Sequence, residues 1–213
     1  MKGLARAACL LLVIVPAAGC ALKRAPAVQR QFLLEADRPD PRPAEPDGML
    51  LQLRTLRVSA AYEGRGFVYR KKDGTIEQDF HNRFFVLPAY LITNEVRRWL
   101  SGTGFIRHVT STAGVDGSRY TLTGDVVELY GDYSSDQPAA VLRIEFNVAD
   151  GETGAEFVFH RKYHRRVPVS SGPDALVQGW NRGLTDLLGQ LEDDLRQAFS
   201  AGQMPRAGES SGP

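Results

Sequence analysis

Cysteine is nearly absent from this sequence: Cys9 and Cys20 are the only two in 213 residues. A disulfide-stapled fold and a thiolate zinc site both lack their raw material. A surplus of charge is missing too. There are 26 basic and 25 acidic side chains, a formal net charge of +1, so the strong basic excess that a nucleic-acid partner would want is not there. No apolar run reaches the roughly 20 residues of a membrane-spanning helix. The chain has no G-x-x-x-x-G-K-[ST] phosphate loop and no H-E-x-x-H, and its folded region has no strand-to-helix G-x-S-x-G elbow. No internal repeat is apparent. These absences lead us to expect no enzymatic site, no metal and no cofactor.

What is present begins at the N-terminus. Residues 1–8 carry Lys2 and Arg6 and no acid, residues 10–15 are apolar, Pro16 ends that run, and Ala17-Ala18-Gly19-Cys20 follows. A basic segment, a short apolar segment and small residues at a cleavage site describe a secretory signal peptide. A cysteine directly after them offers a thiol to a diacylglyceryl group, which makes the segment a lipobox, with Ala17 where Leu is usual. The alternative is a plain signal peptide that happens to precede a cysteine. Cysteine arithmetic favours lipidation. Cys9 would leave with residues 1–19, so Cys20 would be an unpaired thiol in an oxidising compartment unless acylated. Two or more acyl chains, at about 0.8 kcal/mol per buried methylene, anchor stably. Ala21 stands where Asp would favour retention in the inner membrane, which directs the protein to the periplasmic face of the outer membrane. Removing residues 1–19 leaves 24 basic against 25 acidic side chains, a net −1.

The sequence reads as four segments: a lipoprotein signal peptide at 1–19, a lipidated N-terminus and proline-rich tether at 20–48, one folded domain at 49–200, and a disordered tail at 201–213 that is rich in Gly, Ser and Pro. In the second segment, residues 31–35 (QFLLE) could form a first short strand. Prolines 39, 41, 43 and 46 then require a loop or stiff linker. The domain opens with alternation from Met49 toward Val58. Asp73-Gly74 between residues 67–70 and 76–80 signals a hairpin. Pro88 opens a helix with Ile92, Val96, Trp99 and Leu100 buried, Asn94, Glu95, Arg97 and Arg98 in water, and Gly102 as its cap. A short strand follows at 105–109.

Three longer strands come next, at 119–130, 139–148 and 156–166, forming an antiparallel meander. In the second, Leu142, Ile144, Phe146 and Val148 face inward while Val141, Arg143, Glu145 and Asn147 face outward. Residues 173–200 make a long helix whose apolar positions step by three and four, from Val177 and Trp180 to Leu195 and Phe199. It spans roughly 40 Å at about 1.5 Å per residue, long enough for one end to project. The fold expected is an α/β (α+β) sandwich: a mixed, mostly antiparallel sheet with two main helices packed on it.

Several residues invite a functional reading beside a bland one. The run His160-Arg161-Lys162-Tyr163-His164-Arg165-Arg166 is the conspicuous charge cluster. It reads first as an exposed strand whose cations discourage edge pairing. Arg161, Lys162, Arg165 and Arg166 could instead touch anionic lipid headgroups or an acidic partner. His160 and His164 would lie about 13 Å apart in a strand, too far to share a metal. Trp99 and Trp180 read as core anchors, and Gly179 with Gly183 as a close approach of the last helix to the sheet.

The order of elements resembles the ABC-type transport auxiliary lipoprotein component family, to which paraquat-inducible lipoproteins of Gram-negative bacteria belong. The likeness is carried by the lipobox, "QFLLEA", "FVYRKKDGTIEQDFHNRFFVLPAYLITNEVRRWL", "YTLTGDVVELYGDY", "AVLRIEFNVAD" and "ALVQGWNRGLTDLLGQLEDDL". His81-Asn82-Arg83-Phe84-Phe85 fills the aromatic segment in which that family usually has a Trp. The resemblance implies an accessory lipoprotein of a lipid transporter, meeting a mammalian-cell-entry (MCE) domain protein at the outer membrane, with a homo-oligomer as one possible form. Two other readings stand beside it: a lipid carrier whose cavity is lined by residues such as Leu142, Phe146, Phe157 and Phe159, and a lipoprotein of outer-membrane assembly.

Overall fold

Alternation of side chains lays down the longest ladders. In a computed structural model that describes residues 28–111, 118–151, 157–202 and 204, β7 (Tyr120–Asp132), β8 (Ala139–Asp150) and β9 (Phe157–Pro168) form an antiparallel meander. Leu142, Ile144, Phe146 and Val148 of β8 are buried, while Arg143, Glu145 and Asn147 reach the opposite face. Val141 departs from the expected outward pattern. It is buried on that second face in a small cluster with Val68 and Tyr130, covered by Tyr62.

The free edge of β7 is occupied piecewise. β2 (Met49–Leu53), β3 (Arg57–Val58) and β4 (Gly66–Arg70) line up along it, each parallel to β7. β6 (Ile106–Thr110) adds to β2 in parallel, and β5 (Ile76–Phe84) pairs antiparallel with β4. The β4–β5 turn contains Asp73-Gly74 as expected: Gly74 has φ +83°, a conformation that glycine adopts without steric cost. The Asp73 carboxylate accepts from the Thr75 amide at 3.0 Å. β1 (Arg30–Phe32) completes the sheet parallel to β5. The result is a mixed α+β layer, with antiparallel order in its longest ladders.

Both helices contribute to one core with this sheet. α1 (Pro88–Leu100) buries Ile92, Val96, Trp99 and Leu100, the expected stripe, widened by Pro88, Leu91 and Thr93. Arg97 and Arg98 in its last turn suit the negative end of the helix dipole. Two details of this helix differ from the sequence reading. Glu95 is drawn in because its carboxylate accepts the Ala36 amide at 2.7 Å and pairs with Arg98. Gly102 is not left-handed; the left-handed residue is Gly104, at φ +83°. A Cβ on Gly102 would instead stand 2.8 Å from the Arg38 side chain, which would have to shift to admit it.

α2 (Pro173–Ser200) lies across β8 and β9 with Leu184, Leu187, Leu188, Leu191 and Leu195 almost wholly buried. Each such leucine contributes roughly 1.5–3 kcal/mol of transfer free energy. Neither end projects. Leu195 and Ala198 are buried near its C-terminus, Met204 is buried beyond it, and Phe199 packs against Phe105 at 6.1 Å. At the other end Trp180 meets Phe67 edge-on at 5.0 Å and donates its indole N–H to the Val141 carbonyl at 3.2 Å. Both tryptophans are thus core anchors.

The proline-rich segment is the largest departure. The folded body includes residues well ahead of Met49, from Arg30 onward among the described residues. Leu34 and Ala36 are buried, the Glu35 and Asp37 amides donate to Asn181 and Thr185 of α2, and Arg38 pairs with Glu192. Further on, the Arg42 amide donates to the Gly102 carbonyl and the Glu45 amide to that of Gly104. Prolines keep this stretch out of helix and sheet interior. The remaining amides still find partners, as buried or half-buried backbone must, and the segment becomes a strap across the α1–α2 corner. Residues 1–27 and 205–213, which hold the expected signal peptide, Cys20 and most of the tail, lie outside the described residues.

Candidate functional site

The basic run falls on β9, which among the described residues is an edge strand paired with β8 alone. Strand alternation deals its cations to two faces, so it is not one patch. Cross-strand partners share a face: Arg161 lies opposite Phe146 and Arg165 opposite Leu142, on the side that α2 covers, whereas Lys162 lies opposite Glu145 and Arg166 opposite Val141, on the open side. Tyr163, between them, is buried under α2 and donates its hydroxyl to Asp194 at 2.7 Å. Burial first, and then that hydrogen bond to a carboxylate, pushes the Tyr163 phenol far above its ordinary range.

Each cation already has a partner. On the helix side, Arg165 donates to Gln190 at 2.8 Å and to the Asp186 carbonyl at 3.3 Å. Arg161 lies over the Phe159 ring, 5.3 Å from its centroid, and 4.0 Å from Asp194. On the open side, Lys162 pairs with Glu145 at 3.2 Å and Arg166 with Asp132 at 2.6 Å. His160 and His164 share the open face but take different partners, Asn147 and Glu128. Among the described residues no group of three or more His, Cys, Asp and Glu side chains could hold a metal.

At one end of the open face, where β7 finishes, lies Asp132. Its buried carboxylate accepts from Arg70 through two nitrogens (2.7 and 3.2 Å), from Arg166, and from the amide and hydroxyl of Ser134 at 3.0 and 2.6 Å. The Arg70 hydrogen bonds outweigh burial, and Ser134 and Arg166 add to them, so this carboxyl sits well below the usual range. Arg143 stands 3.2 Å from Glu128, and together these groups line a shallow basin of about 440 Å³. Three guanidiniums face two carboxylates there, a local net of one positive charge. The arrangement can offer unspent N–H donors to an anionic group.

Asp132 makes a pH prediction. Its folded pKa is depressed, so the stability it contributes is fully present above the unfolded carboxylate value of about 3.9 and is lost as pH falls toward the folded value. Asp132→Asn should unfold more readily than the parent at pH 7, with the difference narrowing below about pH 4. Urea midpoints at both pH values would check this; a gap that widens on acidification would contradict it.

Phe157, which was expected to line a lipid cavity with Leu142, Phe146 and Phe159, does not join them. It is 58 % exposed, while the other three are buried in the core under α2. Sequence reasoning missed a different feature: Phe85, Val86, Leu87 and Tyr90 stand exposed where β5 leads into α1. The apolar run preceding Pro88 was the available signal. The string Gly-Glu-Ser-Ser-Gly at 208–212 has the spacing of a nucleophile elbow but lies outside the described residues.

With this architecture in place, the class the fold defines is the two-layer α+β one found in two solved proteins. A crystal structure of a Xanthomonas campestris protein of family DUF330 superposes with a TM-score of 0.66 at 19 % identity, covering 79 % of this chain and 98 % of that one. A crystal structure of an uncharacterized protein gives a TM-score of 0.63 at 18 % identity, covering 79 % and 99 %. At such identities the likeness is one of fold. No protein-family model matches the sequence, and no curated protein matches it either. No helix among the described residues is long and apolar enough to cross a membrane.

Proposed function

We propose that this chain is a bacterial lipoprotein, held through acylated Cys20 on the periplasmic face of the outer membrane, and a non-catalytic adaptor of an MCE-type ABC lipid transporter. The observation that carries the anchor is the sequence Ala17-Ala18-Gly19-Cys20 after a basic and then apolar N-terminus. Cleavage there leaves one thiol, and acylation uses it. The transporter assignment rests on the resemblance in layout to the auxiliary lipoprotein family, and it extends to several copies of this chain meeting an MCE-domain protein.

Packing favours the adaptor over the carrier. Leu142, Phe146 and Phe159, which a carrier would spend on lining a cavity, are occupied by contacts with α2. A partner approaching the sheet would meet Lys162 and Arg166 on the open face, while Arg161 and Arg165 are engaged with α2.

Cys20→Ser tests the anchor. The protein should move from the membrane pellet to the soluble fraction, because at least two acyl chains are lost. Continued sedimentation with outer membranes, resistant to salt, would contradict lipidation as the anchor.

A further inference from the structure

Among the described residues, large apolar side chains left in water are not scattered. Apart from Ile76 and Phe157, they gather where β1 meets β5 and in the turn into α1. Leu33, Phe80, Phe85, Val86, Leu87 and Tyr90 are between 37 % and 67 % exposed. The backbone brings them together. The Phe85 amide donates to the Phe32 carbonyl at 2.8 Å, which puts Leu33, one step on, beside Phe85. Tyr90, in the first turn of α1, has its amide 3.0 Å from the Leu87 carbonyl. The Gln29 side chain donates to the Phe80 carbonyl at 3.3 Å. Single exposed apolar residues are ordinary, but a contiguous group marks an interaction site.

The chain itself points to the occupant. Among the described residues the chain begins at this patch, with Val28 (82 % exposed) and β1. Cys20 lies eight residues before Val28. Eight residues span at most about 28 Å fully extended, so a lipid on Cys20 holds a bilayer within that distance. Lys23 and Arg24 lie on the way, and no acidic residue occurs between Ala21 and Leu34. Such a segment is drawn to anionic headgroups.

We propose that the Leu33–Phe85–Val86–Leu87–Tyr90 surface is a second membrane contact, seated in the headgroup region of the bilayer that holds the anchor. It rests on the reading of Cys20 as the lipidation site. Aromatic and aliphatic side chains beside cations are the groups that partition into this interface. Two points of attachment, acyl chains and patch, fix the orientation of the domain where one would leave it free to swing. The Asp73-Gly74 turn, at the other end of β5, then points away from the membrane.

The test uses the full lipidated protein. With Cys9 cleaved away and Cys20 acylated, Val86→Cys provides the one free thiol for an environment-sensitive dye, and Asp73→Cys provides the control. Each is placed in vesicles of phosphatidylethanolamine and phosphatidylglycerol, with and without lipids carrying a nitroxide near the headgroup. The dye at position 86 should shift to the blue and lose intensity to the nitroxide lipids, and the dye at position 73 should do neither. A water-like spectrum at position 86 on an acylated protein overturns the patch and leaves the anchor standing. A blue shift insensitive to nitroxide, with thiol cross-links between copies carrying Val86→Cys, overturns it in favour of a second copy. The mass of the N-terminal peptide reads acylation separately, and an unmodified Cys20 overturns patch and anchor together.

Discussion

Glu192→Ala should cost about 3–5 kcal/mol of folding free energy, the range for removing one partner of a buried ion pair. Glu192 sits on the buried stripe of α2 at 8 % exposure. Its carboxylate ties three elements to one point. It accepts from Arg38 of the strap at 2.5 and 3.2 Å, from the indole N–H of Trp99 in α1 at 3.0 Å, and from Arg196 one turn along its own helix at 2.9 Å. Burial opposes the charge, but the hydrogen bonds from Arg38, Arg196 and Trp99 prevail and hold the carboxyl below its ordinary value. Alanine would leave the Arg38 guanidinium, itself stacked over Trp99 at 5.1 Å, buried without its counter-charge. Glu192→Gln keeps an acceptor for one donor and should lose less. Urea unfolding of both variants checks the order. A loss under about 1 kcal/mol for Glu192→Ala would mean that the strap is not held as described.

The second large effect is one of sign within a single helix. Gly179→Ala should destabilise by about 1–3 kcal/mol, the usual cost of overpacking. Gly189→Ala should stabilise by up to about 1 kcal/mol, the helix-propensity difference between the two residues. A Cβ on Gly179 would stand 2.7 Å from the Cβ of Ala140 and 2.4 Å from a methyl of Val169. Val169 can turn aside, but the Ala140 Cβ moves only with the backbone of β8. A Cβ on Gly189 meets nothing closer than the Trp99 ring at 3.8 Å, an ordinary contact. Thermal midpoints of the two variants check the pair; equal shifts in the same direction would contradict the close approach of α2 to the sheet.

Much of the fold is legible in the sequence because periodicity survives tertiary context where one face is buried. The alternation at Leu142, Ile144, Phe146 and Val148 identifies β8 and its inward face, and the spacing from Val177 to Leu195 identifies α2 and its stripe. Pro88, Pro173 and Asp73-Gly74 mark two helix starts and a turn because their backbone preferences are local. What periodicity does not encode is partner choice. The parallel pairings of β2, β3 and β4 along β7 join segments far apart in sequence. The strap reads as a linker because its prolines forbid regular structure, yet its anchors Arg38 and Ala36 act through residues of α1 and α2.

The basic strand was visible as composition but not as geometry. Seven consecutive letters suggest one patch, whereas a period of two sends Arg161 and Arg165 to the helix side and Lys162 and Arg166 to the other. The exposed group at Phe85, Val86, Leu87 and Tyr90 was hidden for the opposite reason. Apolar letters before a helix read as core, and only the placement of β1 and α1 leaves them outside.

The proposed role is that of an anchored adaptor that meets an MCE assembly. The most direct test is isolation of the intact, lipidated protein from native membranes, followed by mass spectrometry of both proteins and lipids in the purified complex. An adaptor should bring down an MCE-domain protein and no stoichiometric lipid beyond the acyl chains on Cys20, and should lose that partner when the charges of Lys162 and Arg166 are reversed. One phospholipid per chain with no MCE-domain protein would contradict it and make the protein a carrier.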